Sequence, residues 1–323
     1  MRAAISHKFG RDYGLGTQQW MEHPTIPGKW IGNPSLSVVV SQYMVSLRRR
    51  KVRSGEAITS ARAMDMATMR QLYDFLGSVK PKEYGPTPRK RKAENPSEWA
   101  GQRIRKMLYL LYLVSMLCLL RFDEVLRITW ADVVFQVRDL SVSNHWQNTT
   151  PERLAKLRPE HFRIQLNLPF RKTHQYGGIA PFYLYADQQR PWMCPLRAFA
   201  IWWIIAQQQN EQLDGFVFRK RTSAAFLECF RNNLLDIGVD PRPYGTHSFR
   251  RGGCQYLHTV LKWPFRQICA WGGWAENFDN PGTIFKYLLS WNDNPDHERE
   301  ELMNPNRPGT DPCFACGRTC HCA

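Results

Sequence analysis

Residues 246–253 read THSFRRGG. His247 and Arg250 are three positions apart, so a helix through this stretch would place both side chains on one face, within reach of one ligand. Thr246 favours the N-cap position, and we expect the helix to begin directly after it. Backbone N–H groups at a helix start favour a bound anion. The imidazole can accept or donate a proton, and the guanidinium can bind a phosphate through two hydrogen bonds. Together they indicate half of a phosphoryl-transfer site. The alternative is an ordinary surface helix.

The charge balance of the chain indicates a polyanionic partner. Its 323 residues carry 44 Lys and Arg against 28 Asp and Glu, a formal net charge of +16. Nucleic acid is the first expectation and an anionic membrane surface the second. A hydrophobic content of 43% is typical of a globular protein, and the length allows two domains.

Neither a secretory leader nor a membrane span is expected. The opening residues turn polar at once, and the most apolar run, 107–120, is too short to cross a bilayer and predicts a buried core helix. Five of the nine cysteines lie singly in apolar or helical stretches, as free thiols do in a reducing compartment.

The hydrophobic pattern predicts a mainly α-helical protein with a small antiparallel β-sheet, of the α+β class. Strands are expected over 133–135, 162–168 and 182–185, the last two as a hairpin. Residues 1–33 have no clear period and are expected to be loop or a loosely docked arm. Further helices are predicted from Asn33 to about Gly55, from Thr59-Ser60 through Leu76, from Pro96 to about Leu119, from Cys194 through Ile205, over 223–237, from Trp263 to Gly272, and after Gly282.

Two basic clusters are candidate contacts to DNA phosphates. The first ends the helix that begins near Asn33, where the helix dipole alone also favours cations. The second lies in a proline-containing linker and could follow the DNA backbone around the duplex. Its two alternative roles are a nuclear import signal and a run of charges that keeps the linker soluble. Their members are Arg48, Arg49, Arg50 and Lys51 in the first, and Arg89, Lys90, Arg91 and Lys92 in the second.

Cleavage of a phosphodiester without a metal needs two cations on the non-bridging oxygens, a nucleophile, a base and an acid. The chain supplies residue types for each role. They are Arg121 where a core helix ends, with Glu124 one turn later to orient it, Lys172 at the hairpin tip, His247 with Arg250, Trp274 after a Gly-Gly turn, and Tyr287 on a late helix.

In these segments the sequence resembles the tyrosine recombinases, the family of the phage integrases. The resemblance covers roughly residues 99 to 291, and the sequence looks most like the Crypton-type recombinases of eukaryotic mobile elements. It is carried by LRFDEVLRITWAD at 120–132, RKTHQYGG at 171–178, CPLRA at 194–198, HSFRRGG at 247–253 and GGW at 272–274.

The resemblance implies a role for each residue. Tyr287 would attack the scissile phosphorus and form a 3′-phosphotyrosyl link, and Arg121 and Arg250 would stabilise the growing charge. Lys172 would protonate the departing 5′-oxygen. His247 would accept the Tyr287 proton or bind the phosphate, Trp274 would donate its N–H to a phosphate oxygen, and Glu124 would support the residues of the 247–253 segment.

At the level of the whole protein, the resemblance implies a DNA recombinase or integrase that needs neither metal, ATP nor another cofactor. Its partners would be double-stranded DNA and copies of itself, as a tetramer on paired sites, without a membrane. It would reside in the nucleus. The expected domains are a helical core-binding clamp over 1–80, a basic linker over 81–97, a catalytic domain over 98–300 and a cysteine-rich tail over 301–323.

Each residue also has a simpler interpretation. Arg121 can cap its helix, Lys172 can solvate a turn, and Trp274 can be packing. Tyr287 has apolar neighbours and lies farther beyond Trp274 than is usual in the family, and Tyr256 is a rival nucleophile. Arg251 can contact the DNA backbone or a buried acid.

The cysteine-rich tail and the function class leave alternatives open. Cys313, Cys316, Cys320 and Cys322 are weak candidate zinc ligands, and a flexible reduced tail or part of a longer domain is the alternative. A domesticated DNA-binding protein that no longer cuts, and a DNA-relaxing topoisomerase of the same chemistry, are the alternatives to the recombinase.

Overall fold

The computed structural model describes residues 2–54, 61–79, 99–138, 145–155, 158–171, 179–208, 215–218, 223–274, 284, 287–288 and 293. The chain forms two compact units, Met1–Thr59 and Ser60–Ala323. The predicted α+β class, mainly helical with small antiparallel sheets, is confirmed. The four predicted domain boundaries remain a prediction.

The first unit contains more regular structure than its sequence predicts. Helix α1 spans Arg2–Tyr13, strands β1 (Met21–Glu22) and β2 (Trp30–Ile31) pair antiparallel, and helix α2 spans Val38–Arg53. The expectation of a loop over residues 1–33 was therefore wrong, and the alternative of a loosely docked arm stays a prediction. Contacts between distant positions hold this segment, since the buried Asn33 amide donates to Gly16 O at 2.8 Å and accepts from Ser35 N at 3.0 Å.

Helix α2 was predicted to start at Asn33, but it starts at Val38. Asn33 instead caps a short 3-10 turn over Pro34–Leu36, and the Ser37 hydroxyl accepts a hydrogen bond from Val40 N at 3.2 Å. The side-chain caps at Asn33 and Ser37 separate the 3-10 turn from the helix. The apolar residues Val39 and Tyr43, which helped to predict this helix, are exposed.

The second unit is built around one helix that is apolar on all sides. Helix α4 spans Gln102–Leu117, and every residue from Met107 to Met116 is buried. A helix of this kind must be covered on all faces, and α4 packs against helices α3 (Met66–Ser78), α5 (Phe122–Val125), α6 (Pro195–Gln207) and α8 (Ser248–Gln255). The predicted buried core helix at 107–120 is confirmed.

Two helix starts differ from the prediction. Helix α3 is capped by Asp65, whose carboxylate accepts from Thr68 N at 2.7 Å, and not by Thr59-Ser60. Helix α4 begins at Gln102 and not at Pro96. Trp99 stays outside the helix because its indole N–H donates to Asp236 at 2.9 Å.

The sheet of the second unit has the order β4-β3-β5-β6 and is antiparallel throughout. Strand β5 shows the predicted alternation, with Phe162, Ile164 and Leu166 buried against the core. The predicted hairpin of β5 and β6 is confirmed, with Ile164 opposite Leu184. The other strand bounds are Val133–Val137 for β3, Gln147–Asn148 for β4, Phe162–Leu166 for β5 and Phe182–Tyr185 for β6.

Helices α7 and α9 match their predictions closely, whereas most of the helix predicted after Gly282 lies outside the described residues. Helix α7 spans Ser223–Asp236, and helix α9 spans Phe265–Gly272 and ends at Gly273 with a left-handed φ of 62°. The five cysteines in the described segments are free thiols, as expected. Among the helices that the structure describes, none has the length and apolar character that crossing a membrane requires.

Helix α8 lies close to α4 and to Met64, which precedes α3, because two of its residues lack a side chain. A Cβ on Gly253 would overlap the Met116 carbonyl oxygen of α4 and lie 2.6 Å from Leu119 Cδ2, and a Cβ on Gly252 would overlap the Met64 carbonyl oxygen. Backbone cannot move aside as a flexible side chain can. Glycine is therefore required at both positions for this helix contact.

We predict that Gly253→Ala lowers the free energy of unfolding by about 2–3 kcal/mol, because the added methyl group overpacks a backbone contact. Urea denaturation measures the change. The matched control is Gly77→Ala in α3, where a Cβ meets nothing within 4 Å. That variant should equal the wild type or gain about 0.5 kcal/mol from helix propensity. Equal urea midpoints for Gly253→Ala and the wild type would contradict the close helix contact.

Candidate active site

The first part of the site lies where α4 ends. Leu119 adopts a left-handed φ of 52°, and the chain then enters α5 with Arg121 at its N-cap. The fully buried Glu124 side chain accepts hydrogen bonds from the Arg121 backbone N at 2.9 Å and from its Nη1 at 3.3 Å. Arg121 keeps 26% of its side chain exposed. The carboxylate therefore orients a guanidinium that solvent and a ligand can still reach.

The second part is on α8. Arg250 is only 2% exposed, and its Nε and Nη1 atoms have no hydrogen-bond partner among the described residues. Burial lowers the pKa of Arg250, while the nearby Tyr287 raises it and Arg121 lowers it further. A buried guanidinium with free donors is costly unless an anion pairs with it.

Two aromatic rings complete this part. The Arg250 guanidinium carbon lies 4.7 Å from the Trp274 ring centroid and 5.3 Å from that of Tyr287. The two rings stack on each other with centroids 5.1 Å apart and an interplanar angle of 11°. Residues far apart in the sequence thus meet at Arg250. Trp274 is placed by the turn after α9, where its backbone N–H donates to Cys269 O at 2.9 Å.

His247 occupies the N-cap position of α8, which was predicted for Thr246. The helix begins one residue later because the Ser248 hydroxyl accepts a hydrogen bond from Gly245 N at 2.9 Å and closes the preceding turn. The imidazole lies at the protein surface. Partial burial lowers the pKa of His247, and the positive charges of Arg250 and Arg121 lower it further. The ring is therefore neutral near pH 7 and can accept a proton.

Arg171 is a residue that our sequence analysis did not assign. It follows β5, is 3% exposed, and has two guanidinium nitrogens, Nε and Nη2, without a hydrogen-bond partner in the described segments. Burial lowers the pKa of Arg171 to about 10, with Arg250 and Arg121 lowering it and Glu124 raising it. The signal in the sequence was an arginine directly before the candidate Lys172, at the end of an alternating strand.

Arg251 belongs to a buried ion pair. Its guanidinium donates to Asp293 through Nη1 at 3.0 Å and Nη2 at 2.6 Å, and it also donates to Ala61 O. Of the two alternatives for Arg251, the structure places it on a buried acid. Asp293 also accepts from Ala63 N and from Gln255 Nε2, each at 2.9 Å, and Gln255 donates to Leu288 O at 3.1 Å. We call Arg251, Gln255 and Asp293 the clasp.

The clasp connects α8, which carries Arg250, to the segment that follows Tyr287. Sequence analysis missed Gln255 and Asp293, because a polar residue gives no sign of a partner far along the chain. The rival nucleophile Tyr256 is 4% exposed, and burial raises its pKa.

Other predicted site residues lie elsewhere. Arg49 and Arg50 are exposed on α2, and Arg48 and Lys51 belong to the same helix. Lys172, the basic run Arg89–Lys92 and the four tail cysteines lie outside the described residues. In the described part of the chain, no group of three or more His, Cys, Asp or Glu side chains is arranged to hold a metal ion.

Two solved structures of XerH are similar to part of this chain. The XerH site-specific recombinase bound to difH substrate, in a pre-cleavage complex, is similar with a TM-score of 0.43 and 10% identity, over 72% of this chain and 51% of that chain. A post-cleavage complex of XerH bound to palindromic difH substrate is similar with a TM-score of 0.41 and 11% identity, over 70% of this chain and 49% of that chain. This chain thus spans about half the length of those structures. No family model and no curated protein matches it.

Likeness at this identity does not determine activity. The function of this chain must therefore be inferred from its own side chains.

We predict that His247 titrates below its ordinary pKa of 6.5 in the folded protein, because partial burial and neighbouring cations disfavour the imidazolium. In the unfolded chain His247 has its ordinary pKa of 6.5, so it binds a proton at a higher pH than in the folded protein. As the pH falls through 6.5, this difference lowers the free energy of unfolding. NMR titration of the imidazole measures the midpoint, with His247→Asn for assignment. Arg250→Met should move the midpoint upward. A midpoint at or above 6.5 in the wild type would contradict the proposed surroundings.

Asp293→Asn should destabilise the protein by about 3 kcal/mol, because it leaves the buried Arg251 guanidinium without its countercharge. Thermal or urea unfolding measures the effect. The control is Asp240→Asn, which breaks the exposed pair with Arg242 at 2.8 Å and should change nothing measurable. Equal losses in the two variants would show that the clasp does not stabilise the fold.

Proposed function

We propose that this protein is a DNA-breaking and rejoining enzyme that works through a covalent 3′-phosphotyrosyl link, as a site-specific recombinase. One observation supports this more than any other. The Tyr287 ring and the Trp274 ring both contact a buried guanidinium, that of Arg250, whose Nε and Nη1 atoms have no hydrogen-bond partner among the described residues. A phenol beside unsatisfied cationic donors is the arrangement that in-line attack on a phosphate needs.

In the proposed step, the Tyr287 oxygen attacks phosphorus while the bond from phosphorus to the 5′-oxygen breaks. The phenol proton passes to His247, which is neutral near pH 7, and the leaving oxygen takes a proton from Lys172. Arg121 and Arg250 donate hydrogen bonds to the non-bridging oxygens, which carry more negative charge in the transition state than in the diester. Attack by another 5′-hydroxyl reverses the step and rejoins the DNA.

The finer parts of the proposal have separate support. A net charge of +16 favours binding to the phosphates of double-stranded DNA. Exposed arginines on α2 can add contacts of this kind. Assembly of four copies on paired sites, a Crypton-type origin and residence in the nucleus are proposed from the sequence motifs alone.

The test uses duplexes with a randomised core and a nick that traps the cleaved strand, incubated with the protein in EDTA. We expect a protease-sensitive covalent adduct on denaturing gels, and sequencing of the trapped DNA identifies the preferred site. Tyr287→Phe should abolish the adduct. Alanine at Arg121 or Arg250 should slow its formation by about 100- to 1,000-fold.

Tyr256→Phe is the matched control and should keep the adduct. An adduct that survives Tyr287→Phe and disappears in Tyr256→Phe would assign the nucleophile to Tyr256. DNA binding without any adduct would indicate the non-cutting DNA-binding protein. Relaxation of supercoiled plasmid without paired sites would indicate a topoisomerase.

A further inference from the structure

Two nitrogens of the buried Arg171 guanidinium lack a hydrogen-bond partner among the described residues. Arg171 is 3% exposed, and the two nitrogens are its Nε and Nη2 atoms. The guanidinium carbon lies 5.6 Å from the centroid of the Phe182 ring. Leaving such donors unsatisfied costs stability, so an acceptor that arrives with a ligand is expected.

Other buried arginines of the same protein show what a structural role looks like. Arg105, 1% exposed, donates to Ala100 O at 3.0 Å, to Asn233 Oδ1 at 3.2 Å and to Asp236. Arg251 is held by Asp293 in the clasp. Arg171 and Arg250 share the opposite condition, burial with free donors.

The charges around Arg171 are strongly unbalanced. Arg250, Arg121 and Glu124 act on it, and the thiol of Cys118 is neutral because burial raises its pKa. The Glu124 carboxylate is already engaged by Arg121 through both oxygens. Among the described groups that act on Arg171, three guanidinium groups, its own included, and one carboxylate leave an excess of two positive charges.

We propose that Arg171 is a third ligand of the scissile phosphate, beside Arg121 and Arg250. This inference rests on the proposed function. A phosphodiester carries one negative charge. When the Tyr287 oxygen adds and its proton passes to His247, the five-coordinate phosphorus carries two. The excess charge of the cluster therefore matches the transition state better than the substrate, and such a match accelerates the reaction rather than only strengthening binding.

The experiment compares Arg171→Met, Arg171→Lys and the wild type. Methionine removes the charge and keeps an apolar stem of similar reach. Without DNA, the methionine variant should melt at the same temperature as the wild type or higher, because an unpaired buried charge is gone. Its rate of adduct formation in single turnover should fall by about 100- to 1,000-fold. DNA affinity should change far less than this rate, since many other phosphate contacts remain. The lysine variant should be intermediate in rate.

Inorganic phosphate gives a second measurement that does not depend on cleavage. It should raise the melting temperature of the wild type, and this rise should be smaller in Arg171→Met. Arg105→Met is the matched control for a structural arginine. It should melt well below the wild type because it leaves the buried Asp236 carboxylate without its countercharge.

The outcomes separate the two proposals. An active wild type with an unchanged rate in Arg171→Met overturns the inference and leaves the proposed function standing. A methionine variant that melts well below the wild type, as Arg105→Met does, also overturns it. A wild type without adduct, but with phosphate stabilisation that requires Arg171, supports the anion site and overturns the proposed cleavage.

Discussion

The close contact between α8 and α4 is the constraint on which the site depends. Gly252 and Gly253 allow the helix backbone to lie against the carbonyl oxygens of Met64 and Met116. Arg250 precedes this pair by two residues, and Arg121 follows the end of α4. Because Gly253 fixes the distance between α8 and α4, it also brings the two guanidinium groups close enough to shift the pKa of Arg250.

The core supports a group of charges that is unfavourable in the unliganded protein. Arg171 and Arg250 are buried with donors that have no acceptor among the described residues, and the nearby Glu124 carboxylate is engaged by Arg121. Apolar packing around α4 has to offset this cost, since few hydrogen bonds do so within the site. Regions of stored unfavourable energy of this kind are common where a protein binds a charged ligand.

Much of the second unit could be predicted from its sequence because local patterns determine it. The alternation at Phe162, Ile164 and Leu166 predicted a strand with one buried face, and the apolar run through α4 predicted a core helix. Local patterns fail where distant contacts decide. Asn33 closes the first segment through Gly16, and Trp99 is held outside α4 by Asp236. The motifs predicted that Arg121, Arg250, Trp274 and Tyr287 lie together, and the structure brings them together. Arg171 and Asp293 could not be predicted, because no periodic pattern in the sequence marks them.

The stacked rings at Arg250 affect how Tyr287, the proposed nucleophile, can move. Tyr287 lies against the Trp274 indole on a nearly parallel plane, and the guanidinium is close to both. A ring held in this way has lost most of its rotational freedom before any substrate arrives. In the proposed reaction, the entropy of orienting Tyr287 would therefore be lost when the chain folds, and it would not add to the barrier of the chemical step.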